Sequence, residues 1–151
     1  MITDVLRALI SSFVGTLGFA LLLHTPRRAI LPASLIGMFA YLLYWVLLQL
    51  GVSDPLSVFA GALVGSMLGQ GCARKMHMIA TIFSLLSIVP AVPGLGLYRF
   101  MELLGSDRVT LGAEAGVSAM MSIAMIALGI GMGSFLFRLL FSRRGRATRA
   151  R

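Results

Sequence analysis

The sequence predicts an all-α integral membrane protein of five transmembrane helices, N-terminus outside, C-terminus cytoplasmic, the fourth helix broken at Pro90–Gly94. Composition, charge layout and one proline–glycine interruption carry that reading. Of 151 residues, 58% are hydrophobic and only 12% charged, and the mean hydropathy is +0.95. A soluble domain carries about a quarter charged residues, so a soluble fold is excluded. The apolar residues instead fall into runs near the ~20 residues that cross a bilayer.

The first run, Val5–Leu23, has the length of a secretory signal. Asp4 in its leading region, the lack of an Ala-x-Ala-like site after Leu23 and the spans that follow make it a membrane helix. Ala29–Leu50 is the second span, with Tyr41, Tyr44 and Trp45 toward its outer end as interfacial aromatics without assigned chemistry. Leu56–Cys72 is the third, carrying Gly61, Gly65 and Gly69 at four-residue spacing. Met78–Leu104 is the fourth, with the break inside it, and Val117–Phe141 the fifth, with Gly129, Gly131 and Gly133. Small residues four apart let helix backbones approach closely. Gly61, Gly65, Gly69, Gly129 and Gly133 therefore mark either packing within the chain or a surface for a partner or higher oligomer. The connections 24–28, 51–55, 73–77 and 105–116 are too short for an extramembrane domain. The chain thus divides into a transmembrane domain, 1–142, and a basic cytoplasmic tail, 143–151.

Net charge is +8, and its placement sets the orientation. Arg27, Arg28, Arg74, Lys75, Arg138, Arg143, Arg144, Arg146, Arg149 and Arg151 are ten of the thirteen basic residues, and alternating spans bring them to one side. The five acids, Asp4, Asp54, Glu102, Asp107 and Glu114, fall on or toward the other, with Asp4 and Asp54 as solvated surface residues. Basic loops mark the cytoplasmic face. The tail has no aromatics for base stacking, so it reads as a topology determinant resting on anionic lipids, with no nucleic acid as partner. The lone Cys72 excludes an internal disulfide, and no metal-ligand spacing or nucleophile triad is present, so neither a cofactor nor an enzyme is expected. His24 and His77 read as loop residues beside the basic clusters, with a proton-accepting role as the sharper alternative.

The interruption Pro90-Ala-Val-Pro-Gly-Leu-Gly96 carries the functional expectation. Proline lacks an amide donor and clashes one turn back, so a continuous helix fails there. Broken backbone at membrane depth survives only where protein or a wet cavity covers it. Counted from Met78, Pro90 lies about 18 Å into a ~30 Å core, slightly past the midplane. A second half-helix starting near Pro93 would present the amides of Gly94 to Gly96, and a helix N-terminus binds carboxylates. Tyr98 adds a hydroxyl. Arg99 and Glu102 share a helical face, as charge and coupling groups or as a pair at the outer interface.

Pro90, Pro93, Gly94 and Tyr98 form a Pro-x-x-Pro-Gly-x-x-x-Tyr pattern that resembles the signature of the threonine/serine exporter (ThrE) family. Gly18–Ala20 followed by Pro26-Arg27-Arg28 resembles it too, while Met76-His77-Met78 stands where that pattern has a proline. The likeness runs through nearly the whole chain, whose length is similar to the small split subunit of that family, the YjjB type. The resemblance implies secondary export across a bacterial inner membrane of threonine and serine, or of C4-dicarboxylates such as succinate. It also implies a larger five-span partner of the YjjP type, which fits an odd span number that cannot form two equal repeats. A non-transporting scaffold or regulatory subunit is the alternative, ahead of a homo-oligomeric pore.

Overall fold

The structure is a computed structural model that describes residues 2–147. Among those residues it is all-helical. α1 spans Ile2–Leu22, α2 Arg27–Gln49 and α3 Asp54–Met76, followed by α4 Ala80–Ile88, a 3₁₀ turn Val89–Ala91, α5 Gly94–Gly105 and α6 Val109–Ala147. Four helices are long and apolar enough to cross a membrane, and α4 with α5, bent by 52° at the break, is the fifth candidate span. The chain is a multi-pass membrane protein.

The turns between helices are short and tightly closed. His77 ends α3 in a left-handed conformation (φ 54°), and the Met78 amide donates to the Ala73 carbonyl at 2.9 Å. Arg74 and Lys75 lie in the last turn of α3, where the helix dipole favours cations, and not in a loop as expected from sequence.

One cluster joins Ala20, Ala29, Ala33, Ala73 and Phe83, that is, the end of α1, the start of α2, the end of α3 and the start of α4. This brings Arg27, Arg28, Arg74 and Lys75 to one end of the bundle, here the basic end. Asp54 lies at the other, the acidic end.

α3 and α6 run parallel. Ser122 meets Asp54, Gly129 faces Phe59 and Ala62, Gly133 faces Leu63 and Ser66, and Arg74 lies over Phe141. Lipid tails are as apolar as leucine, so packing rather than hydrophobic expulsion holds such seams. A Cβ on Gly133 would sit 2.6 Å from the Leu63 carbonyl oxygen, and one on Gly129 2.8 Å from that of Phe59. Glycine is required at both for the backbones to come this close.

α6 has 39 residues, about 58 Å of helix against a ~30 Å hydrocarbon core. Because Ser122 is level with the start of α3, residues 109–121 overhang the bundle at the acidic end by about 20 Å. α5 folds back along this overhang: Gly96 meets Ala119, Phe100 meets Gly116, and Leu104 meets Gly112. The sequence-based start of this helix at Val117 is therefore eight residues late. Gly112 and Gly116, expected in a loop, are helical and make room for α5. At its other end α6 continues through Arg143 and Arg144 to Ala147, so the expected tail begins as helix. Residues 148–151, with Arg149 and Arg151, lie outside the described residues.

Candidate functional site

α4 stops at Ile88, and Val92 and Pro93 connect the 3₁₀ turn to α5 with ψ values of 127° and 56°. The Gly94 amide donates to the Val92 carbonyl at 2.7 Å, and the Leu97 amide to Pro93 at 3.1 Å. Between them, Leu95 and Gly96 have no backbone acceptor outside α5, as the first turn of a helix dictates. The expected set of three free amides thus becomes two, because the turn before α5 uses that of Gly94.

The gap lies nearer the acidic end than the midplane. Ser87 packs on Gly65, while Pro90 through Leu95 border a cavity of about 280 Å³ with Tyr41, Tyr44, Val58 and Asp54. The sequence count assumes a straight helix from Met78. The extended turn before Ala80, and the 3₁₀ turn with its longer rise per residue, carry the chain further for the same number of residues.

Asp54 anchors the mouth of this cavity. The Tyr44 hydroxyl donates to its Oδ1 at 2.8 Å and the Ser122 hydroxyl to its Oδ2 at 3.2 Å. One carboxylate thereby ties α2, α3 and α6 together beside the break, with lone pairs left on both oxygens. Sequence alone makes Asp54 a solvated surface acid and gives Tyr41 and Tyr44 no chemistry. The signal that could find them is positional: Tyr44 and Asp54 flank the turn at Gly51–Ser53, which places them at one height on antiparallel neighbours.

Of the residues predicted for a transport path, Pro90, Pro93 and Gly94 border the cavity. Gly96 turns toward α6, its Cβ position 3.3 Å from Ala119. Tyr98, Arg99 and Glu102 lie further along the overhang, exposed and away from the cavity. Among the described residues no salt bridge forms, so Arg99 and Glu102 are not paired with each other.

The glycine stripe of α3 is occupied inside the chain. Gly61 faces the Ala40 carbonyl, Gly65 faces Ser87 and Gly69 faces the Phe83 backbone, each neighbour 3.0–3.2 Å from where a Cβ would stand. Gly129 and Gly133 face α3, so none of the five is free for a partner. Buried hydroxyls are mostly satisfied along their own helices: Thr16 donates to Ser12, Ser34 to Ile30 and Ser87 to Ser84. No group of three metal-ligating side chains occurs among the described residues.

The family model described as threonine/serine exporter, ThrE, matches residues 8–136, from the second turn of α1 to near the end of α6, with the broken helix inside it. No solved structure matches the chain.

Proposed function

Because the chain belongs to the threonine/serine exporter family, we propose that it is the small membrane subunit of a secondary exporter moving carboxylate-bearing metabolites out of the cell. In this reading the basic end faces the cytoplasm of a bacterial cell, the N-terminus is outside, and a larger five-span subunit completes the transport unit. Support for a partner comes from α5, which buries no residue and exposes Leu95, Tyr98 and Met101 by 65–76% on one face. An exposed apolar face beyond the bundle calls for cover by protein or lipid.

One observation carries the site. The cavity at the gap brings the start of α5, where Leu95 has an unpaired amide, together with the Asp54 carboxylate. Amides at a helix start favour a carboxylate, and Asp54 favours an ammonium group. A zwitterionic amino acid satisfies both; a C4-dicarboxylate meets repulsion at Asp54. The arrangement therefore supports threonine and serine over succinate. Tyr98, Arg99 and Glu102 belong in this reading to the outer mouth or the partner contact, and Glu102 receives no coupling role.

The test is efflux from cells carrying the chain and its partner. Gly94→Leu fills space that holds no atom within 4 Å, so the protein should insert while export fails. Asp54→Asn should slow threonine and serine export and, with the repulsion at that position removed, leave succinate export unchanged or raised. Wild-type export by Gly94→Leu would dismiss the gap as the transport site. Equal loss of all three solutes in Asp54→Asn would dismiss the amino-acid preference.

A further inference from the structure

A second cavity lies at the end of the bundle away from the gap. It holds about 550 Å³ between the end of α3, the start of α4 and α6, and among the described residues its polar wall is Gln70, Arg74 and Arg138. Two cations thus border one space. Among the described residues neither forms a salt bridge, and Asp54, Glu102, Asp107 and Glu114 lie outside the cavity lining. Both are exposed, so a ligand can reach them from outside the bundle. Arg138 is followed by Leu139, Leu140 and Phe141, within the apolar span that ends at Phe141. One turn from the end of the span, its guanidinium reaches the interface, where water, a headgroup or a soluble anion can meet it.

One contact orients Arg74. Its guanidinium carbon lies 5.7 Å above the Phe141 ring, which stacks on Phe137 at 4.4 Å between centroids. Cation–π contact of this kind limits the side chain's freedom and leaves its N–H edge for a ligand. Gln70 donates to the Ser134 hydroxyl at 3.0 Å, which leaves its second N–H available as a further donor. Gln70 is fixed from behind, since Ser134 also meets Ser66 at 3.2 Å across the seam.

We propose that Arg74 and Arg138, with the Gln70 amide, form a binding site for an oxyanion, a carboxylate or phosphate group, at the basic end of the bundle. The inference does not rest on the gap reading: the two cavities share no residue. The same donor set accepts the carboxylate of a solute waiting on the basic side or the phosphate of a lipid headgroup.

The experiment uses the full chain in phosphatidylcholine nanodiscs, with and without phosphatidylglycerol. Threonine, succinate and inorganic phosphate are titrated by calorimetry, and retained phosphatidylglycerol is counted by native mass spectrometry. The wild type should bind at least one of these probes, and Arg74→Gln/Arg138→Gln should weaken it by roughly tenfold or more, as loss of charged hydrogen bonds dictates. Arg74→Lys/Arg138→Lys keeps the charge, guards against a folding defect and should recover part of the binding. Loss of solute or phosphate binding in phosphatidylcholine alone identifies a soluble ligand; loss confined to phosphatidylglycerol retention identifies a lipid. A wild type that binds none of the probes, or a folded glutamine pair that binds them all as the wild type does, overturns the site.

Discussion

α3 and α5 are both apolar, both carry glycines and both follow a short turn, yet the chain treats them in opposite ways. α3 buries Gly61, Gly65 and Gly69 against α2 and α4 and takes α6 along another side. α5 buries nothing and packs mainly on the overhang of α6. Gly94 faces open space, whereas Gly69 would press a Cβ to 3.2 Å from the Phe83 backbone. Glycine in α3 sets the distance between helices. Glycine at the start of α5 leaves the backbone accessible. The same residue serves scaffold in one region and access in the other, and only the neighbours distinguish them.

Substitutions can break this contrast. The largest effect is expected from Gly133→Ala, where the new methyl would meet the Leu63 carbonyl at 2.6 Å. Overpacking of this kind costs about 1–3 kcal/mol, and fluorescence-detected size exclusion should show loss of the folded peak. Gly94→Ala should elute like the wild type, since its methyl would meet nothing within 4 Å; a comparable folding loss would end the distinction between the two regions. Next comes Tyr44→Phe, which removes one hydrogen bond to Asp54. The carboxylate is exposed, so a loss of about 1 kcal/mol or less is expected, read as a small drop in Tm. The smallest effect sharpens the comparison inside a single helix. Gly131 sits two residues from Gly133 but meets no atom within 4 Å. Gly131→Ala should be neutral or raise stability by up to about 1 kcal/mol through helix propensity, and a drop in Tm would show that open space does not govern tolerance.

Much of the fold was readable from apolar run lengths, because bilayer thickness fixes how long a span must be. The break was readable too, since Pro90 and Pro93 remove donors that a continuous helix needs. The start of α6 was not: Gly112, Glu114 and Gly116 look like a loop until Phe100 and Leu104 are seen to need the space those glycines leave. The proposed site was legible on one side only. Pro90, Pro93 and Gly94 declare themselves by residue type, whereas Asp54 and Tyr44 are ordinary residues near a turn and become a site through the pairing of α2 with α3. Arg138 was visible as charge but not as a cavity wall, because the opposite wall comes from α3 and the start of α4.

The uninterrupted course of α6 has a mechanical consequence. A single rod is clamped to α3 over its basic half and carries the α5 hairpin on its free half. Any partner that grips the hairpin therefore works on a lever whose arm is about 20 Å, and a tilt of roughly ten degrees at the clamp displaces the tip by about 3–4 Å. Spin labels on the tip and on α2 would register that swing as a change in separation. The opening beside Asp54 lies at the fulcrum, where a small rotation changes width more than position.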